Sequence, residues 1–349
     1  MLVYANFHSH DESSLVVLAK FKSITGKTRS TSVRTNPFHL FSHGANTKYN
    51  VKVKFILLLV TLLLSWSCRP STDVAIDLTT QNWIHGSENC EENMDPPIQV
   101  VQYTSNTWIL RQNKCTNYEA PFLFLFIGDE KALLMDTGAT EEDDIFPLYE
   151  TVKEILNEWE VKNGEVELIV AHTHKHGDHY AADGQFEGKA NTTIVGLEVE
   201  DVKRFYKVSN WPNEIVNLDL GNRSMKIIPI PGHQASSIAV YDSSTKILLT
   251  GDTFYPGRLY VKDWDAFKKS IQRLAEFTKY YEISYILGNH IEMTQTAGID
   301  YPTGTIYQPN EHPLPLSINQ LKALSKSLNE LGEIPTRAIH DSFIIFPVD

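Results

Sequence analysis

Three cysteines and five methionines in 349 residues leave little sulfur to work with. So low a cysteine count excludes a disulfide-stapled miniature and a thiolate-rich metal cluster. Positive charge is scarce too: 31 Lys and Arg stand against 43 Asp and Glu, a formal net charge of −12. No run of Lys/Arg offsets that balance, and an acidic body repels a phosphate backbone, so nucleic acid is excluded as a partner. The chain has no apolar stretch of the ~20 residues that a membrane-crossing helix needs. It also lacks a G-x-S-x-G elbow, which removes one common serine-nucleophile arrangement. What is present is a hydrophobic content of 42%, enough for a large core without covalent help.

The little positive charge there is gathers at the front. Residues 1–68 hold eight basic side chains against Asp11 and Glu12, a net +6, while the rest carries 23 basic and 41 acidic, a net −18. KVKFILLLVTLLLSWSC (52–68) has lysines, then an apolar run, then small residues before a cysteine. That is the layout of an export signal. It predicts a signal peptide over 51–68 and a periplasmic or envelope-anchored protein. Cys68 stands where a bacterial lipoprotein carries its lipid, but Trp66 occupies a place usually held by a small residue. A lipid anchor at Cys68 therefore stays open as the single membrane contact. Residues 1–50 precede the signal and read as a non-native or disordered extension, with translation starting near Val51. In an oxidising compartment the remaining pair, Cys90 and Cys115, predicts a disulfide. Two isolated thiols are the alternative. The bridge would close about 25 residues and contribute about 3 kcal/mol by loop entropy.

Residues 69–97 are polar, contain Pro96 and Pro97, and read as a linker or irregular lead-in. From 98 to 349 the pattern is regular and predicts one domain of mixed strands and helices. Strands are expected at 98–103, 107–111, 121–127, 131–136, 166–171, 192–196, 225–230, 237–242, 246–250 and 284–288. Helical spacing of apolar residues covers 143–160, and further helices are expected at 263–279 and 317–331.

Several of these strands finish on a metal-capable residue. KALLM ends at Asp136, KILLTG at Asp252 and SYILGN at His290, while MKIIPIPG delivers His233. VELIVA leads into AHTHKHGDHY (171–180), which holds four of the thirteen histidines and Asp178. Rigid strands that end together gather side chains at one edge of a sheet. Imidazole and carboxylate are ligands for Zn²⁺. His174 and His176 are placed to grip one ion, and Asp178 and His179 can turn toward a second. Without metal, so many adjacent imidazoles would be costly to bury. An inconsequential, solvated histidine loop is the plain alternative.

At these residues the chain resembles the metallo-β-lactamase-fold hydrolases. The likeness rests on HKHGDH (174–179), LLMDTG (133–138), PGHQASS (231–237), LLTGDTFY (248–255) and LGNH (287–290), in the family's order across about 98–295. It implies an α+β fold, a four-layer αββα sandwich, with a binuclear site on one edge. Carried over, His174, His176 and His233 would bind the first ion, Asp178, His179 and His290 the second, and Asp252 would bridge. Asp136 would orient ligands from outside the coordination sphere. The implied cofactors are two Zn²⁺, with Fe or Mn as other divalent choices. His340 and His312 compete with His290 for the last ligand place. His172 reads as packed, and His85 has no role.

Such a pair of ions would hold a hydroxide for attack on a carbonyl or phosphoryl centre, with Asp178 as catalytic residue to orient it and take its proton. The family's true β-lactamases carry Cys or Ser where Asp252 stands here. The expected substrate is therefore a small molecule with an ester, lactone or amide bond, met outside the cytoplasm. Tyr255, Tyr260 and His312 are candidate substrate contacts, and the segment 292–315 a wall or lid. β-Lactam or phosphodiester hydrolysis, an iron-dependent dioxygenase and a non-catalytic metal-binding module remain as alternatives. Oligomeric state is not legible in the sequence.

Overall fold

The computed structural model describes residues 75–349; the predicted signal peptide, Cys68 and the 1–50 extension lie outside the described residues. One sheet runs β1 (Ile98–Thr104), β2 (Thr107–Gln112), β3 (Phe122–Ile127), β4 (Lys131–Met135), β5 (Glu167–Ala171) and β6 (Thr192–Ile194), side by side in that order. Its first four strands pair antiparallel, and β4, β5 and β6 pair parallel. A second sheet has the order β12 (Tyr285–Gly288), β10 (Ile247–Gly251), β9 (Ile238–Asp242), β8 (Ser224–Pro229), β7 (Val216–Asp219). A small third sheet joins β11 (Arg258–Val261), β14 (Ile344–Pro347) and β13 (Ala338–Ile339).

The layering follows from side-chain alternation along strands that are apolar on both faces. In FLFLFI (122–127) the odd and even residues serve different cores. Phe122, Phe124 and Phe126 pack with Ile227, Val240, Leu249 and Leu287 of the second sheet. Leu123, Leu125 and Ile127 pack with Leu148, Val152 and Leu156 of helix α1 (Leu148–Asn163). The outer face of the second sheet, with Ile228, Ala239, Leu248 and Ile286, is covered by two helices. These are α3 (Trp264–Phe277), through Phe267, Ile271 and Leu274, and α4 (Ile318–Leu331), through Leu321, Leu324 and Leu328; α2 (Val199–Tyr206) precedes them in the chain. The result is helix, sheet, sheet, helix. Each Phe of β3 contributes about 1.5–3 kcal/mol by leaving water.

Local signals set the helix limits. Asp263 accepts from the Ala266 amide and starts α3, while Ser317 and Gln320 form a reciprocal capping box at α4. The helix expected from 143 begins only at Leu148, because Pro147 disfavours helical backbone at Phe146. Ile145, taken as part of its apolar face, is exposed. The linker reading of the lead-in is corrected for its described part: Leu78 and Trp83 are buried, and Trp83 meets Phe122 edge-on at 4.9 Å. Cys90 and Cys115 form a disulfide. Gly86 bridges to Tyr307 with φ +79°, and a Cβ there would fall 1.8 Å from the Ile306 carbonyl oxygen. That approach requires glycine. No helix among the described residues is long and apolar enough to cross a membrane.

Candidate metal centre

Strand direction collects the site. β4 and β5 run parallel; β9 is antiparallel to both β8 and β10, and β12 is parallel to β10. The C-terminal ends of β8, β10 and β12 therefore share one edge. Asp136 follows β4, the histidine cluster follows β5, His233 follows β8, Asp252 follows β10, and His290 follows β12. A single helical turn over Gly177–Tyr180 separates the cluster into two parts, leaving His174 and His176 before it and carrying Asp178 and His179 within it.

Two groups of ligand atoms result. His174, His176 and His233 form one; Asp178, His179, Asp252 and His290 form the other. In the first, His174 Nε2 lies 2.9 Å from His176 Nδ1 and 3.2 Å from His233 Nε2, and His233 Nε2 lies 3.0 Å from His176 Nδ1. Nitrogens ~2.05 Å from a tetrahedral Zn²⁺ would stand ~3.3 Å apart. In the second, Asp178 Oδ2 is 3.3 Å from His179 Nε2 and 3.2 Å from His290 Nε2. Asp252 Oδ1 is 3.4 Å from His290 Nε2; its Oδ2 is 3.4 Å from His179 Nε2 and 3.8 Å from both His174 Nε2 and His233 Nε2. Asp252 thus faces both groups.

The far sides of the rings are fixed. His233 Nδ1 is 2.8 Å from the Tyr260 carbonyl, and His290 Nδ1 is 3.0 Å from that of Glu119. Donating an N–H there turns each Nε2 lone pair toward the centre. Asp136 is fully buried, accepts from the Thr173 amide at 2.7 Å and from Asn289 Nδ2 at 2.7 Å, and lies 3.4 Å from His179 Nδ1. It stands outside both ligand groups. Asn289, Thr173 and the Glu119 carbonyl were missed by the sequence reading. Asn289 in LGNH and Thr173 in HTHKH each stand beside a ligand, which was a signal; the Glu119 carbonyl had none.

Electrostatics separate the two groups. Burial drives the pKa of His174 well below the usual imidazole value and lowers His233 to about 4. Burial would also depress His290, but Asp252 and Asp178 outweigh it and lift that ring to about 9. His179 is raised well above its usual value, against burial, by Asp178, Asp252 and Asp136. Burial would raise the two carboxylates; the His179 and His290 charges instead hold Asp178 and Asp252 far below the usual range. The fit to divalent metal rests on an independent observation. His179 Nε2 and Asp252 Oδ1 are buried without a hydrogen-bond partner, an arrangement that costs free energy unless a cation satisfies them.

A cleft of about 230 Å³ opens over these groups, lined by His176, Asp178, His233, Asp252 and His290 among others. Tyr255 lines the cleft, its ring 5.7 Å from that of His290, while its hydroxyl donates to the Arg258 carbonyl at 2.5 Å and lies 3.0 Å from Glu292 Oε2. His312 does not line the cleft: Nε2 lies 3.1 Å from Ser342 Oγ and the ring borders a different pocket. Tyr260 does line it, with its hydroxyl accepting from Arg258 Nε at 2.9 Å. His340 contacts Ser327 Oγ at 2.9 Å, and His172 pairs with Asp183 at 2.9 Å, so neither joins the ligand groups. The segment 292–315 is a fixed wall: Arg258 binds Glu292 and Asp300, each at 2.6 Å, and Arg111 holds Glu311 by two 2.6 Å bonds.

A family model described as the metallo-beta-lactamase superfamily matches residues 120–296. The chain is 25% identical to the acyl-coenzyme A thioesterase MBLAC2 of Homo sapiens over 204 residues, 48% of this chain and 72% of that protein. It is 26% identical to a hydroxyacylglutathione hydrolase of Rhizobium meliloti over 183 residues, 49% of this chain and 69% of that one. Two further hydroxyacylglutathione hydrolases, from Chelativorans sp. and Mesorhizobium japonicum, match over 46% and 52% of their lengths. Among solved structures, a metallo-beta-lactamase from Pontibacter korlensis aligns at 18% identity with a TM-score of 0.45, covering 66% of this chain and 99% of that one.

Proposed function

The chain belongs to the metallo-beta-lactamase superfamily, and on that premise we propose that it is an exported, binuclear metal hydrolase of an acyl bond: an ester, lactone, thioester or amide. The observation that carries the reading is Asp252, whose two oxygens face both ligand groups. His174, His176 and His233 would hold one ion, Asp178, His179 and His290 the other, and Asp252 both; zinc suits this nitrogen and oxygen set. Bound ions would lower the pKa of a water toward neutrality and polarise the acyl oxygen.

The chain's own residues do the rest. Asp178, partly exposed and lining the cleft, accepts a hydrogen bond from the attacking water and holds its proton in transit. The Tyr260 and Glu119 carbonyls keep His233 and His290 from rotating. The wall at 292–315 excludes bulk water from one side of the cleft. Acyl chemistry is favoured over phosphoryl chemistry because both proteins named above as relatives, the thioesterase and the hydroxyacylglutathione hydrolase, carry acyl substrates in their names. Export is supported by the Cys90–Cys115 disulfide, which persists in oxidising compartments.

The test is a chromogenic panel of esters, lactones, thioesters, phosphodiesters and β-lactams, run on zinc-loaded protein beginning after residue 68. Acyl-bond turnover that His176→Ala abolishes together with bound metal is the expected result. Stoichiometric iron with oxygen uptake, or inactivity throughout, would overturn it. Fractionation of cells carrying the full chain tests export.

A further inference from the structure

One wall of the cleft carries a charge that hydrolysis as such does not use. Lys114 lies in the loop between β2 and β3, is 3% exposed, and lines the cleft with Tyr118, Glu119, Thr303 and Thr305. Its ammonium donates to the Tyr118 carbonyl at 3.2 Å, one neutral acceptor for a group with three donors. The other Lys or Arg lining the cleft, Arg258, and the neighbouring Arg111 are spent. Arg258 divides its N–H groups among Glu292, Asp300, the Tyr301 carbonyl and the Tyr260 hydroxyl. Arg111 is held bidentately by Glu311.

The position is built rather than incidental. Cys115 anchors the next residue to Cys90, and a Cβ on Gly86 would fall 2.8 Å from Lys114 Cβ, so the stem is gripped from the lead-in side. Glu311, Glu292 and Glu119 act on the ammonium from a distance, but its hydrogen-bond acceptor is uncharged, and a ligand's negative charge in contact would offset the cost of burying it. Burial lowers its pKa to about 8, which still leaves it mainly charged at neutral pH.

We propose that Lys114 is the anchor for a carboxylate that the substrate carries apart from its reacting acyl bond, making the substrate class an acid-bearing ester, lactone, thioester or amide. This rests on the hydrolase reading above. A single carboxylate matches the single free ammonium; a dianionic phosphate would meet Glu119, Glu292 and Asp178 in the same cleft.

The experiment has two arms on wild type, Lys114→Met and, should methionine not be tolerated, Lys114→Gln. Calorimetry compares glutarate with neutral glutaramide on the metal-free and zinc-loaded protein. Turnover compares mono-p-nitrophenyl glutarate with p-nitrophenyl valerate on the zinc-loaded protein. The expected result is a 10- to 100-fold loss of glutarate affinity, and an equal rise in KM for the acid-bearing ester, on removing the ammonium. Glutaramide binding, kcat and the valerate KM should hold. Equal losses for charged and neutral probes, unchanged glutarate binding in the variants, or no preference for glutarate in wild type would each overturn the proposal. If neither ester is turned over, calorimetry alone decides Lys114, and the hydrolase reading is decided by the wider panel above.

Discussion

The two halves of the metal centre are made of similar side chains and are electrically opposite. His174, His176 and His233 form a carboxylate-free group in which burial keeps His174 and His233 neutral. Asp178, His179, Asp252 and His290 form a group whose carboxylates draw protons onto both imidazoles. An ion entering the first half meets His174 and His233 already neutral. An ion entering the second must displace protons. The difference teaches that one constellation of ligand types can carry two affinities and two pH responses, decided by where the aspartates sit.

The sharpest way to break that comparison is to remove the residue common to both halves. Asp252→Ala should cost turnover on the order of 10³-fold and weaken both ions, read by metal analysis after dialysis. Loss of one ion alone would mean that Asp252 serves one half. His233→Ala and His290→Ala should each strip a single ion, and a different one, so that the doubly loaded fraction vanishes while a singly loaded species survives.

Outside the ligands the effects shrink. Asn289→Ala removes the side-chain amide donor to Asp136 Oδ2 while the Thr173 amide and hydroxyl remain, and should weaken metal binding about 10-fold, with the larger loss at the second half through His179. Equal loss at both halves would place Asp136 as a general scaffold instead.

The smallest effect is the pH dependence of the metal-free protein, and it tests the electrostatic contrast directly. The folded pKa of His290 is about 9, above its unfolded value, so its contribution is fully present below pH ~6.5 and is lost as pH rises through about 9. His233 falls to about 4 when folded, so its contribution is present above pH ~6.5 and lost as pH falls toward 4. Thermal midpoints measured with chelator present should therefore decline on both sides of neutrality. His290→Asn should flatten the alkaline limb, and zinc loading should do the same.

Much of this was legible in sequence because the ligands sit at the ends of strongly apolar strands. FLFLFI, ELIVA and ILLTG leave little choice of conformation, and the residues that follow them arrive at one edge. What escaped depends on partners remote in sequence. The Tyr255 hydroxyl lies 3.0 Å from Glu292, 37 positions on, an assignment that no spacing encodes. His312 looked like a site residue because it follows a ligand strand, yet its Ser342 partner is 30 positions away. RLYV and IIFP are too short to announce strands; they pair with each other across some 80 residues. The α1 boundary was misread because helical spacing at Ile145 outweighed Pro147 in the pattern.

The wall at 292–315 is fastened at its far end by Arg111 to Glu311 and by the backbone bridge from Gly86 to Tyr307. Neither fastening involves a ligand residue. The far end of the wall is therefore held independently of the ion-binding edge, and a lineage could recut that end while the edge stayed untouched.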